Sequence, residues 1–418
     1  MKKYIIVCVM AGLLGHLAFN SPAFAESISR ENAAGIFRTY EPREGKLTKA
    51  PRGYKPFYIS HYGRHGSRYH ASVSYFTPGI EALENAGREG LLTADGQKLL
   101  DDMKALCKEH ESMLGQLSPR GAREHQGVAN RMFKRFRRVF RARERNIVHC
   151  ESTMFPRCIV SMANFATQLK ANNSKLEVEY LTGARHHDSL LQEYDFGPYP
   201  SSVEDSLRNA NCHYDSFFAR IFTDPSKAER LIGKPQALLK SVFESGAICA
   251  CTDYMGIDLF SYLTDDELSG LAMVANDLWY GKYGNSIETG DLVTPNGANL
   301  LNDFISKADE ALKPGSKVAA NLRFGHDSGI MPLFSLVRIE GNDTRHHMTE
   351  AHENWLAWYQ IPMCTNFQMI FYKNKKGDVL VKVLYNEAES SFPALEAVKG
   401  PYYRWSELRS YLESCLPE

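Results

Sequence analysis

The sequence predicts an α/β fold: a central, mostly parallel sheet flanked by helices, with a largely helical inserted cap domain and an antiparallel edge near the C-terminus. Three observations carry this. Short apolar runs at 57–59, 147–148 and 318–322 each end in a cluster of polar residues, the pattern of strands that deliver active groups at their ends. Segments with apolar residues at helical spacing lie between the runs. Residues 367–372 and 379–385 flank Asn374-Lys375-Lys376-Gly377-Asp378, as in a hairpin whose strands run antiparallel.

The chain opens with Lys2 and Lys3, an apolar run and Ala23-Phe24-Ala25, which fits a secretory signal over 1–25 cleaved after Ala25. Export to the periplasm or the medium is expected. His16 and Asn20 interrupt the run, and no later segment offers about twenty uninterrupted apolar residues, so stable membrane insertion is not expected. Cleavage removes two lysines and no acid from a chain with 49 basic and 49 acidic residues. This near-neutral balance gives bulk electrostatics no reason to favour a nucleic-acid partner. The sequence carries no statement of oligomeric state.

The remaining chain divides into an α/β core over 26–170 and 312–418 and a helical cap over 171–311. Residues 26–48 form a surface lead-in or short helix, and the first strand and its loop follow at 57–68. Thr93 caps a covering helix through Leu99, Leu100, Met103 and Leu106, and Ser118 with Pro119 starts another whose Val128, Met132, Phe136 and Phe140 recur every four positions. Between those apolar positions run Arg131, Lys134, Arg135, Arg137, Arg138, Arg141, Arg143 and Arg145. They read first as a solvated helix face, then as a collar for a polyanionic substrate, and third as a membrane or polyanion surface. The second strand ends at 149–153, and a helix through Ile159, Met162 and Phe165 follows.

Within 171–311, breakers such as Gly183, Gly197-Pro198, Pro225 and Gly256 separate candidate helices at 202–208, 227–231, 235–245, 265–280 and 299–312. There is no internal repeat. The third strand occupies 318–322, the hairpin follows, Trp355 and Trp358 suit core packing, and 404–412 can form a last helix.

Eight cysteines follow the signal: Cys107, Cys150, Cys158, Cys212, Cys249, Cys251, Cys364 and Cys415. In an exported chain they suit disulfides or buried thiols, and sequence cannot select among 105 complete pairings. Cys249 and Cys251 lack the second close pair of a structural zinc site. Arg185-His186-His187-Asp188 is poor for a metal, since adjacent histidines diverge and Arg185 opposes a cation. No cofactor is expected.

The polar clusters carry the chemistry. Phe57-Tyr58-Ile59 leads to His61, Arg64, His65, Ser67 and Arg68. Two guanidiniums around an imidazole repel one another unless the surface is open or an anion offsets the charge, and such an imidazole can attack phosphorus while the arginines grip its oxygens. Arg157 begins a helical run, where a cation opposes the helix dipole unless an anion lies between them. Gly325-His326-Asp327 ends the third strand. The order Arg64-His65-Gly66-Ser67-Arg68, then Arg157, then Gly325-His326-Asp327, resembles the histidine acid phosphatases, the branch of the histidine phosphatase superfamily that contains phytases.

That resemblance implies His65 as the nucleophile that forms a phosphohistidine, Arg64, Arg68, Arg157 and His326 as the phosphoryl clamp, and Asp327 as general acid. No metal is implied. The stretches SPRGAREHQGVANRMF and MFPRCIVSMANF look similar to multiple inositol polyphosphate phosphatases, although members of that group usually carry His-Ala-Glu where this chain has His326-Asp327-Ser328. The expected function is phosphomonoester hydrolysis, with inositol polyphosphates such as phytate the leading substrate class. Alternatives are a broad acid phosphatase acting on sugar phosphates or phosphoanhydrides, and a noncatalytic polyanion-binding protein on the same fold.

Overall fold

The computed structural model describes residues 28–191 and 201–417. The signal segment 1–25, its cleavage point at Ala25 and the Gly197-Pro198 break lie outside the described residues. The strands are β1 (Lys55–Arg64), β2 (Ile147–Ser152), β3 (Glu177–Leu181), β4 (Val318–Gly325), β5 (Asn366–Lys373), β6 (Val379–Tyr385), β7 (Ala388–Ser390) and β8 (Tyr402–Arg404). They form one sheet in the order β3-β2-β4-β1-β5-β6-β7, with β8 paired to β6. The strands from β3 to β1 are mutually parallel, and β5 joins β1 antiparallel. The sheet as a whole is mixed, and its parallel central strands and antiparallel C-terminal side are as expected.

The helices that build the layers are α1 (Thr77–Arg88), α2 (Ala94–Glu111), α3 (Pro119–Arg135), α4 (Arg137–Phe140), α5 (Pro156–Asn172), α6 (Asp215–Ile221), α7 (Pro235–Ala247), α8 (Asp265–Tyr283), α9 (Ala298–Leu312), α10 (Asp327–Leu336) and α11 (Trp405–Ser414). Thr93 and Ser118 cap α2 and α3 through their hydroxyls, which accept from the Gly96 and Gly121 amides. Alternation along the strands sorts side chains to two faces. Tyr58, Met369 and Val383 enter one core with Leu301 and Phe304 of α9 and Leu408 of α11. Their neighbours Ile59, Ile370 and Leu384 enter the other with Val128 and Met132 of α3 and Phe165 of α5. A third core joins Leu83 of α1 and Leu99 of α2 to Phe217, Leu238 and Leu271 of α6, α7 and α8.

The structure departs from the sequence reading at four places. β3 lies inside the stretch read as helical; it pairs with β2 alone, on the sheet edge, and its exposed Glu177 and Glu179 hide the strand from an apolar-run criterion. The helix expected to continue to Phe140 breaks at Phe136, whose φ of −120° and ψ of 41° leave the helix and turn Val139 and Phe140 into the same core as Met132. The lead-in is not merely a surface segment, because Ala33, Ile36, Thr39 and Tyr40 are buried. All eight described cysteines are free and six are buried, so they stand as thiols and no disulfide is formed among them.

Candidate active site

Three parallel strands bring their C-terminal ends side by side. β1 ends in Arg64 and leads into His65, β2 leads through Thr153 to the N-terminus of α5 with Arg157, and β4 leads through His326 into Asp327 at the start of α10. Because β2, β4 and β1 are consecutive in the sheet, residues more than 250 positions apart in sequence share one crevice.

All six residues singled out from the sequence meet there. Arg64 Nη2 lies 3.0 Å from Asp327 Oδ2. The His65 and His326 ring centres are 5.6 Å apart. Arg157 Nη2 donates to His326 Nδ1 at 3.1 Å. Arg68 packs over the Phe37 ring at 5.1 Å and feels the charges of both Arg64 and Arg157. His61, grouped with this cluster in the sequence, is instead a core residue of β1 wedged between Phe165 and Phe324, because β1 continues through Arg64 and carries it inside.

Burial and charge set the protonation states. Burial, then Arg157, Arg64 and Arg68, hold the His65 imidazole well below its ordinary pKa, so it is neutral. Its Nδ1 is 2.9 Å from the Gly66 carbonyl, which can only accept, so the proton sits on Nδ1 and the Nε2 lone pair is left for attack. His326 is likewise held neutral by burial and Arg157. Its Nδ1 accepts from Arg157, and its Nε2 donates to Thr153 Oγ1 at 3.0 Å with Cys158 Sγ at 3.5 Å. In this resting arrangement His326 is therefore a neutral donor and not a cation.

Burial pushes Asp327 up, but the adjacent Arg64 guanidinium, helped by Arg68, outweighs it and keeps the carboxylate below its usual range. Its place at the start of α10 also favours the anion. Burial, Arg157 and Arg64 push Arg68 down to about 10. Arg64 Nη1 donates to the Ile36 and Ile361 carbonyls at 2.7 and 2.6 Å, which fixes its plane. In this crevice the buried Nε atoms of Arg64, Arg68 and Arg157 have no hydrogen-bond partner, and Arg64 Nη2 meets only the Asp327 carboxylate. Such unsatisfied cationic donors are costly in a protein interior and suit a site built to receive an oxyanion.

Several supporting residues were not singled out from the sequence. Glu124 of α3 accepts from the Ser67 amide and hydroxyl, both at 2.7 Å, and from the Tyr40 amide at 3.0 Å, which ties the loop after His65 to α3 and to the lead-in. Gly66 and Gly121 make this contact possible; a Cβ on Gly66 would stand 2.6 Å from the Gly121 carbonyl oxygen. Tyr62 Oη accepts from the His326 amide at 2.9 Å and holds the turn after β4. An acidic residue at the sixth position of an arginine-containing helix is the sequence signal for Glu124.

The remaining polar clusters are engaged elsewhere. Arg131 and Arg135 pair with buried Glu387, and Arg137, Arg138, Arg141, Arg143 and Arg145 lie beside Lys55 at the start of β1, so these seven arginines of the basic stretch do not form a collar around this crevice. His186 pairs with Glu151, and His187 packs against Phe155 beside the crevice. Among the described residues, no group of three His, Cys, Asp or Glu is arranged to hold a metal ion.

Comparisons with known proteins bear on the family and on the fold. Residues 64–386 match the profile described as histidine phosphatase superfamily (branch 2). The chain is 22% identical to multiple inositol polyphosphate phosphatase 1 of Gallus gallus, covering 88% of this chain and 84% of that protein. Its fold is similar to the multiple inositol polyphosphate phosphatase of Bifidobacterium longum in complex with phosphate, with a TM-score of 0.78, 19% identity, and coverage of 91% and 97% of the two chains. It is also similar to the phytase from D. castellii, with a TM-score of 0.64, 14% identity, and coverage of 96% and 90%.

Proposed function

This chain belongs to the histidine phosphatase superfamily (branch 2), and from that premise we propose that it hydrolyses phosphomonoesters through a phosphohistidine on His65, with inositol polyphosphates such as phytate as the leading substrates. The observation that carries the reading is the neutral His65, its Nε2 free, set among three guanidiniums with unpaired buried nitrogens. The similarity to multiple inositol polyphosphate phosphatases and a phytase supports the substrate class.

In the first step Nε2 attacks phosphorus and the bond to the ester oxygen breaks. Arg64, Arg68 and Arg157 stabilise the charge on the equatorial oxygens, and neutral His326 donates a hydrogen bond after exchanging Thr153 for the phosphoryl group. Asp327 gives its proton to the departing alcohol oxygen. Asp327 is ionised in the resting site, so this proton arrives with the substrate: the negative phosphoryl group offsets Arg64 and Arg68 and raises the carboxyl pKa. In the second step water attacks the phosphohistidine, its proton passes to Asp327, the P–N bond breaks and inorganic phosphate leaves. Catalysis is maintained by the substrate's own charge.

The Lys2-Lys3 start and the Ala23-Phe24-Ala25 site support export and a mature N-terminus at Glu26, which N-terminal sequencing of the secreted protein reads directly. Phosphate release from inositol hexakisphosphate, compared with glucose phosphates and nucleotides, tests the substrate assignment. Faster turnover of the inositol phosphate at limiting concentration is expected. Preference for sugar phosphates or phosphoanhydrides would favour a broad acid phosphatase, and binding without release would favour the noncatalytic reading.

A further inference from the structure

The arginines of the basic stretch that do not pair with Glu387 gather at the opposite end of the sheet. β1 begins at Lys55 and ends at Arg64, nine residues later. At ~3.3 Å per residue this places them about 30 Å from the catalytic crevice. Here the start of β1, the segment from α4 to Arg145, and the β5–β6 turn enclose a concavity of about 1220 Å³.

Its charge is one-sided. Arg137, Arg138, Arg141 and Arg143 line one wall, and Lys375 and Lys376 of the turn line another. Lys55 and Lys373 complete it and face each other directly across the β1–β5 ladder. All eight are exposed, and among the described residues none forms an ion pair. Glu144 is the one acid in the lining. The floor is fixed: Arg145 donates to the Val318 and Ala311 carbonyls at 2.8 and 2.9 Å and lies over the Phe57 ring.

Two physical points go beyond the presence of a basic surface. Like charges at directly opposed strand positions destabilise a sheet, so the Lys55–Lys373 pair is a cost that an anion between them would remove. The chain as a whole balances 49 bases with 49 acids, so eight unpaired cations around one cavity are a local concentration of charge and not a reflection of a basic protein. The shape selects the ligand. Three segments surround the cavity and present cations from several sides, as a compact multivalent anion requires, whereas a flat bilayer would meet only the rim.

We propose that this groove is a second, noncatalytic binding site for a compact polyanion of the multiply phosphorylated or sulfated polyol class. The separation exceeds the Debye length of about 8 Å at physiological ionic strength several times over, so occupancy acts on stability and local concentration and not on the charge of the catalytic residues. The proposal is independent of the phosphatase reading.

Calorimetric titration of the full chain with inositol hexasulfate, which a phosphatase does not turn over, tests it. The Arg138→Ser/Lys375→Ser/Lys376→Ser protein should bind one equivalent fewer than wild type, whatever the catalytic crevice binds, with unchanged kcat on p-nitrophenyl phosphate. Lys373→Thr alone should raise the Tm of the free protein by relieving the like-charge pair, and should shrink the ligand-induced rise in Tm. Equal stoichiometry in wild type and the triple variant would overturn the proposal. So would triple-variant-sensitive binding to phosphatidylglycerol vesicles without a change in hexasulfate stoichiometry, which would assign the groove to a membrane surface.

Discussion

Replacing Asp327 with Asn separates the two roles that the geometry gives this residue. The substitution is nearly isosteric, removes the proton donor, and removes a negative charge 3.0 Å from Arg64 Nη2. The first change acts on the leaving group. A positioned general acid contributes roughly 10²–10⁴-fold, so turnover of inositol hexakisphosphate, whose alkoxide must be protonated, should fall about 10³-fold. p-Nitrophenolate leaves without a proton, and its loss should stay within about tenfold. The second change acts on the anion. A like charge ~4 Å from a bound phosphate, the separation a proton donor to the ester oxygen requires, opposes it by about 4 kcal/mol at an effective dielectric near 20. Proton uptake by Asp327 as the anion binds relieves most of this repulsion in the wild type and leaves about 1.4 kcal/mol, so inorganic phosphate should inhibit the variant about tenfold more tightly. The assay is steady-state kinetics on both substrates with phosphate as product inhibitor. Equal losses on the two substrates, or weaker phosphate inhibition, would refute the assignment.

Glu124→Ala should leave the Ser67 amide buried and unpaired and loosen the loop after His65; two bonds at 2.7 Å and one at 3.0 Å are lost, a destabilisation of about 3 kcal/mol. Urea unfolding reads this cost, and kcat/KM on p-nitrophenyl phosphate should fall about 100-fold as the nucleophile loses its position. Acid should destabilise the fold through its buried neutral histidines. Burial holds His125 down to about 3, so the unfolded chain binds the extra proton below its own pKa of ~6.5, and stability drops as pH falls from there towards 3. At pH 5 this residue alone accounts for about 2 kcal/mol, and in His125→Gln the slope of unfolding free energy against pH should lessen by roughly one proton, as denaturation at stepped pH would measure.

The catalytic crevice was legible because its chemistry sits where apolar strands stop. His65, Arg157 and His326-Asp327 each follow a run that reads as a strand, and a parallel sheet gathers strand ends whatever their separation in sequence. What supports them was not legible. Glu124 looks like one more surface acid in a charged helix and becomes buried only because Gly66 and Gly121 let α3 meet the loop. The Ile36 carbonyl that fixes Arg64 comes from a lead-in without strong periodicity. β3 alternates acids with apolar residues as an exposed edge strand does, which local composition does not separate from a helical stretch. The basic segment at 131–145 displayed its charge plainly, but only the break at Phe136 and the buried Glu387 divide it into paired arginines and a remote groove.

The covalent intermediate is the most direct test. The enzyme would be mixed with isotopically labelled phosphomonoester, quenched in base within milliseconds to preserve phosphoramidate bonds, and mapped by peptide mass spectrometry. A label on the Nε2 nitrogen of His65, absent in His65→Ala and persisting longest when Asp327→Asn slows its hydrolysis, is the predicted result. A label on another residue, or substantial turnover by His65→Ala, would contradict the account.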